Sequence, residues 1–250
     1  MLGLPEGVGA CLFDMDGVVT QTAAVHAAAW KEMFDEFLRE RAASTGTEFV
    51  PFDPLHDYDA YVDGKPRLDG TRSLLEARGI ELPEGTPDDP PGKATIYGLS
   101  NHKNELVLAK LAAGGVQVYP GSVRYIRSVR EKGISTAIVS SSANTKQVLD
   151  SANLSGLFDV RVDGLVASER GLHGKPAPDT FLAAAAEIGV AADRAVVFED
   201  ALAGVEAGRA GGFALVVGVD RVGQTAELRK HGADIVVRDL AELLDTGGPR

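Results

Sequence analysis

From about Pro120 onward, short apolar runs alternate with segments whose apolar residues recur every three or four positions. The runs Ile134–Ser141 (ISTAIVSS), Arg194–Asp200 (RAVVFED), Phe213–Val219 (FALVVGV) and Ala233–Val237 (ADIVV) are rich in Val and Ile and have the length of buried strands. Between them lie SVRYIRSVREKG, NTKQVLDSANL, PDTFLAAAAEIG, ALAGVEAGRAGG and GQTAELRKHG. Each carries an apolar stripe, and several begin near Ser, Asn or Pro and end at Gly, which is how helices are capped. Strand–helix alternation predicts an α/β fold, a doubly wound parallel sheet with helices on both faces. The first apolar run, around Ala10–Phe13, belongs to that sheet by composition.

Residues 22–116 break the rhythm. AAVHAAAWKEMFDEFLRER places Trp30, Met33, Phe34, Phe37 and Leu38 at helical spacing, and NHKNELVLAKLAAGG predicts a second helix. The segments between them, including Phe49–Tyr58 and Pro83–Pro91, are crowded with Pro, Gly and Asp. The pattern predicts a mostly helical insertion directly after the first strand. Residues 1–21 and 117–250 would then form one α/β core, and the insertion would sit as a lid over the strand ends, where open α/β sheets bind ligands.

Composition narrows the partners. With 36 acidic against 25 basic residues the net charge is −11, which opposes binding to nucleic acid or to an anionic membrane surface. No apolar run approaches the ~18 residues of a membrane span. The single cysteine, Cys11, rules out an intramolecular disulfide. A cytoplasmic protein, monomeric and acting on a small molecule, is the expectation, and any anionic ligand must be held by a few local cations.

The candidate chemistry lies where strands stop. In CLFDMDG, Asp14 and Asp16 close the first strand, and alternation along an extended chain would point both side chains the same way. Two adjacent carboxylates need a cation or a shared proton, so they mark a metal site, an acid/base pair, or both. VVFED ends in a second pair, Glu199 and Asp200. Together Asp14, Asp16, Glu199 and Asp200 predict a carboxylate cluster at one rim of the sheet, suited to a hard divalent cation such as Mg²⁺. AIVSSSANT brings Ser140 to the strand end and Ser141, Ser142 and Asn144 to a helix entry, where free N–H groups favour an anion. HGKPAPDTF adds Lys175 in a segment stiffened by proline.

DMDG, VSSS, GKPAPD and FED, in that order and at strand ends, resemble the four motifs of the haloacid dehalogenase superfamily of phosphotransferases, over the whole chain. The resemblance implies a Rossmann-like catalytic core with an inserted cap. It makes Asp14 a nucleophile that becomes an aspartyl phosphate and Asp16 the general acid/base. Ser140 and Lys175 would hold the transferring phosphoryl group, while Asp14, the Met15 carbonyl, Glu199 and Asp200 would ligate Mg²⁺.

Within that superfamily the helical insertion is similar to the cap of the β-phosphoglucomutase group. The opening matches through Thr22, His26 and Trp30; DGKPR resembles the group's Gly-x-x-Arg substrate loop, giving Gly64 and Arg67; NHKNE resembles its Lys-Asn pair, giving Lys103 and Asn104. Ser142 and Asn144 fall where that group binds the non-transferring phosphate. By residue type alone, His26 and Trp30 read as core, Arg67 as surface charge and Lys103 as a solvated helix start. One departure concerns the serine loop: the group commonly carries a basic residue where this chain has Ala143, with Lys146 one helical step further on. The resemblance therefore implies interconversion of β-glucose 1-phosphate and glucose 6-phosphate through a bound 1,6-bisphosphate. A sugar-phosphate phosphatase on the same scaffold is the near alternative, and a non-catalytic regulatory binding domain the distant one.

Overall fold

Six strands form one parallel sheet in the order β3-β2-β1-β4-β5-β6, in a computed structural model that describes residues 2–244. They are β1 (Ala10–Phe13), β2 (Ser135–Val139), β3 (Val160–Val162), β4 (Ala195–Glu199), β5 (Leu215–Val219) and β6 (Ile235–Val237). β1 is central, paired with β2 on one side and β4 on the other, with Leu12 level with Ala137 and Val197. All four β1 residues and all five β4 residues are buried, which is why these strands read as continuous apolar runs.

Helices cover both faces. On one, Phe181 and Ala184 of α7 (Asp179–Ile188) pack with Leu12, Ala137 and Val197. On the other, Tyr125 of α4 (Pro120–Glu131) meets Phe13 and Phe198, whose rings stack at 4.5 Å. Each such aromatic pair adds about 0.5–1.5 kcal/mol beyond its area burial. α5 (Thr145–Ser151), α6 (Gly164–Arg170), α8 (Leu202–Ala210) and α9 (Thr225–His231) complete the set.

The chain divides into two compact units, one containing residues up to Gln21 and from Val116 onward, the other Thr22–Gly115. Val116, assigned to the insertion on sequence grounds, falls in the first. The second unit is helical: α1 (Ala23–Thr45), one π-helical turn at Tyr58–Val62, α2 (Arg67–Ala77) and α3 (Ile96–Gly114). Its core stacks Trp30 on Phe34 at 5.3 Å and Phe34 on Phe52 at 5.4 Å, with Met33, Leu74 and Leu99 around them. α3 begins five residues earlier than its apolar spacing predicted, because Thr95 caps it by accepting from the Gly98 N–H. Among the described residues no helix is long and apolar enough to cross a membrane.

Candidate active site

Because every strand of the sheet runs the same way, their C-terminal ends share one edge, and the residues that stop them converge there. Asp14 follows β1, Ser140 follows β2, and Glu199 and Asp200 end β4. Asp14 donates its N–H to Phe198 O at 2.9 Å, extending the ladder by one residue and fixing where its side chain emerges. Ligand oxygens of Asp14, Glu199 and Asp200 all lie within 4.8 Å of one another, and all three residues are buried. Asp16 is not part of that group. Its Oδ2 accepts instead from the Ser140 hydroxyl at 3.5 Å.

Lys175 enters this cluster from the segment before α7. Its ammonium donates to Asp14 Oδ1 at 2.6 Å, to Glu199 Oε1 at 2.6 Å and to Val139 O at 3.3 Å, and the side chain is 1% exposed. Burial disfavours the ammonium, yet the Asp14 and Glu199 carboxylates outweigh that and raise its pKa. Burial pushes the Asp14 carboxyl well above the usual carboxylate range; Lys175 pulls it back, and Glu199 and Asp16 push it up again. Lys175 is thus held between two carboxylates, those of Asp14 and Glu199. The donor set is all carboxylate oxygen, which suits a hard divalent cation.

Two glycines make the cluster possible. A Cβ on Gly204, in the first turn of α8, would lie 1.7 Å from Glu199 Oε1, and one on Gly17 would lie 1.7 Å from Asp200 Oδ2. Glu199 Oε2 is further fixed by the Ala201 N–H at 2.7 Å. Neither glycine was singled out from the sequence; the available signal was a Gly right after Asp16 and another five residues after Glu199.

The turn after β1 corrects one expectation. The Met15 carbonyl accepts from the Val19 N–H, the Thr20 N–H and the Thr20 hydroxyl, at 2.9, 2.9 and 3.1 Å. With three donors on it, this carbonyl closes the turn and is not available to a metal. Asp16, also expected among the metal carboxylates, lies outside the group of three and beside Ser140.

The serine loop is built from its own hydroxyls. Ser140 Oγ accepts from the Ser142 N–H at 3.1 Å, and Ser142 Oγ from the Asn144 N–H at 3.2 Å. The Ser142 carbonyl takes the Thr145 hydroxyl at 2.9 Å and the Gly164 N–H at 3.1 Å. The N–H groups of Ser142 and Asn144, expected to be free for an anion, are thus engaged inside the loop. Ser141 lies half-buried in the same loop. Lys146 does not stand in for a base at Ala143: its ammonium pairs with Asp150 at 2.6 Å on the exposed face of α5.

In the helical unit, Lys103 is 5% exposed, so it is not a solvated helix start. Its ammonium lies 2.9 Å from His26 Nδ1 and 4.6 Å from the centroid of Trp30. Trp30 belongs to the core, as its type suggested, and also forms this cation–π contact. Gly64 adopts φ +69°, which lets the chain turn ahead of Pro66 and start α2 at Arg67. Arg67 is the outlier of this unit. Its buried Nε has no hydrogen-bond partner, and burial lowers the pKa of the guanidinium. Asn104 follows Lys103 on α3, half-buried.

Comparison with known proteins converges on the same chemistry. A family model described as haloacid dehalogenase-like hydrolase matches residues 8–212. A β-phosphoglucomutase from Mycobacterium bovis is 57% identical over 98% of this chain and 94% of its own length. One from Bacillus subtilis is 30% identical over 94% of this chain and 91% of its own. Among solved structures, β-phosphoglucomutase from Clostridium difficile has a TM-score of 0.73 at 24% identity, covering 94% of this chain and 93% of that one, a likeness of fold.

Proposed function

This chain belongs to the haloacid dehalogenase-like hydrolase family, and from that premise we propose that it is a β-phosphoglucomutase, interconverting β-glucose 1-phosphate and glucose 6-phosphate through a 1,6-bisphosphate. The cofactor of this reaction would be Mg²⁺; Asp14, Glu199 and Asp200 would hold it, and it would neutralise charge on the transferring group. In one half-reaction an Asp14 carboxylate oxygen attacks the 1-phosphorus of the 1,6-bisphosphate and the bond to the C1 oxygen breaks, leaving glucose 6-phosphate and phospho-Asp14. Asp16 gives its proton to that leaving oxygen. In the other half-reaction the 6-hydroxyl of β-glucose 1-phosphate attacks phospho-Asp14, its proton passes to Asp16, and the 1,6-bisphosphate and the Asp14 carboxylate are regenerated. Lys175 and Ser140 hold the non-bridging oxygens, as phosphoryl transfer requires positioning and charge neutralisation above all. Ser141, Ser142 and Asn144 remain candidates for the distal phosphate, together with Arg67, while Gly64, His26 and Lys103 would shape the sugar site.

The observation that carries the mutase over simple hydrolysis is Arg67. A buried guanidinium nitrogen without an acceptor costs free energy unless a ligand supplies one, and its planar fork suits a phosphate. A mutase needs such a second anion site because its bisphosphate must turn over without escaping. The phosphatase reading keeps one specific support: Ala143 offers no cation, and Lys146 is committed to Asp150.

Phosphorus NMR of β-glucose 1-phosphate with Mg²⁺ and a trace of glucose 1,6-bisphosphate separates the two. Conversion to glucose 6-phosphate with little inorganic phosphate is expected, and inorganic phosphate as the main product would replace the mutase with a phosphatase. Arg67→Ala should cut mutase flux by roughly 10²-fold and barely affect release of phosphate from a small aryl phosphate. Equal losses on both substrates would remove Arg67 from the distal site.

A further inference from the structure

The loop between β5 and α9 touches both acidic strand ends without contributing a carboxylate to the cluster. Asp220, at the end of β5 and 8% exposed, organises it. Its Oδ1 accepts the N–H groups of Val222, Gly223 and Gln224 at 3.2, 2.6 and 2.9 Å, and its Oδ2 takes the Thr225 hydroxyl. Two long side chains leave the loop so fixed. Arg221 donates from Nε to Gly17 O at 2.7 Å, from Nη2 to Val18 O at 3.5 Å and from Nη1 to Arg238 O at 2.6 Å. Its guanidinium carbon lies 3.5 Å from the centroid of Tyr119, so the plane is held on both edge and face. Gln224 donates from Nε2 to Asp200 O at 3.1 Å.

The two contacts close a frame. Gly17 and Val18 form the turn directly after Asp16, the same turn whose other side is closed on the Met15 carbonyl. Gly17 is also the residue that faces the Asp200 carboxylate. We propose that Arg221 and Gln224 are positioning residues, a brace in which Arg221 fixes the turn that aims Asp16 and Gln224 fixes the backbone that aims Asp200 at the cation. The proposal rests on the assignment of Asp16 as acid/base and of Asp200 as a metal ligand.

The geometry predicts a different readout for each residue. Loosening the Asp16 turn matters where a leaving oxygen must be protonated or an attacking hydroxyl deprotonated, and not in the step where phosphate leaves an aryl oxygen. Arg221→Ala should therefore lose roughly 10²-fold in kcat on β-glucose 1-phosphate, the size of effect that a displacement of about 1 Å produces. The burst of p-nitrophenolate from p-nitrophenyl phosphate, a step whose leaving group needs no proton, should keep a rate within roughly threefold of the parent. KM for the sugar phosphate should not move. Arg221→Lys keeps a cation and one donor and should recover part of the lost ratio; if the alanine variant does not fold, this ratio alone decides. Gln224→Met removes the amide at similar size. By calorimetry on the resting protein it should weaken Mg²⁺ binding roughly tenfold, as loss of an outer partner of a metal ligand does, with unchanged kcat at saturating Mg²⁺.

Equal losses on the sugar and aryl phosphates in the Arg221 variants would overturn the Arg221 half, because a merely structural role lowers both alike. An unaltered Mg²⁺ dissociation constant in Gln224→Met would overturn the Gln224 half. A parent protein that transfers from no sugar phosphate but binds Mg²⁺ would count against the enzyme assignment, and the calorimetric comparison would still decide the Gln224 half.

Discussion

The two units of this protein hold their buried charges by different means. In the α/β unit the charges come from three separate segments, the β1 end, the β4 end and the Lys175 loop, and meet because the sheet aligns the strand ends. In the helical unit charges are paired within loops or between neighbouring helices, Asp57 with Arg78 at 2.6 Å and Asp89 with Lys93 at 2.7 Å. The first arrangement concentrates carboxylates around one ammonium; the second pairs charges in place. Concentrated charge is where chemistry is expected, and Arg67, with its unpartnered Nε, is where the helical unit departs from its own habit.

The sharpest way to break this contrast is at the concentrated cluster. Asp14→Asn should remove turnover by roughly 10⁴-fold or more, as loss of an attacking group does elsewhere, while Mg²⁺ binding survives in part. Steady-state assay on β-glucose 1-phosphate checks it, and near-parental activity would end the assignment of Asp14 as nucleophile. Lys175→Met leaves Asp14 and Glu199 facing each other without their shared ammonium. Breaking a buried pair of this kind costs about 3–5 kcal/mol. Thermal unfolding should show that loss without metal and a larger stabilisation by Mg²⁺ than in the parent, since the cation replaces part of the missing positive charge. A response to Mg²⁺ no larger than the parent's would contradict the charge account.

Much of the sheet was legible because fully buried parallel strands are unbroken apolar runs that stop at polar residues; Asp14, Ser140 and Glu199 were visible for that reason. β3 was not, since it is three residues long, lies at the sheet edge and carries Arg161 in its middle. α2 was hidden too: Leu68, Leu74 and Leu75 are diluted by charged neighbours after Pro66. The site was legible in its carboxylates and illegible in what seats them. A side chain bonded to backbone has no period along the chain, so the three donors on the Met15 carbonyl, the hydroxyl bonds inside the serine loop and the pairing of Lys146 with Asp150 left no trace in it. Empty space leaves even less.

Gly204 tests that last point. It lies within α8 without a positive φ, so alanine there is unobjectionable as a helix residue and its only penalty is collision with Glu199. Gly204→Ala should weaken Mg²⁺ binding by roughly 10- to 100-fold, the range seen when the support of a metal ligand is disturbed, with the thermal midpoint of the metal-free protein nearly unchanged. Calorimetry and unfolding on the same sample check both halves. Unaltered Mg²⁺ affinity would show that Glu199 can yield to a methyl group.

The smallest effect is expected on the other side of the comparison, at Asp89. Its carboxylate accepts from Lys93 and from the Thr95 hydroxyl, both at 2.7 Å, and from Thr86, and these contacts lower its pKa to about 2. Asn101 adds bonds to Pro87 O and Asp89 O, so the Pro-rich segment before α3 is ordered around this one residue. The folded pKa lies below the unfolded value of about 3.9. The carboxylate therefore contributes stability above pH ~4, and that contribution fades as pH falls toward 2. Asp89→Asn removes the charge and with it the pH dependence. The parent should unfold at a higher temperature than the variant near pH 5, and the gap should narrow steadily as the pH is lowered through that window. A gap independent of pH would mean that Asp89 orders the loop by shape and neutral hydrogen bonds alone, and the helical unit would then owe its order to something other than charges paired in place.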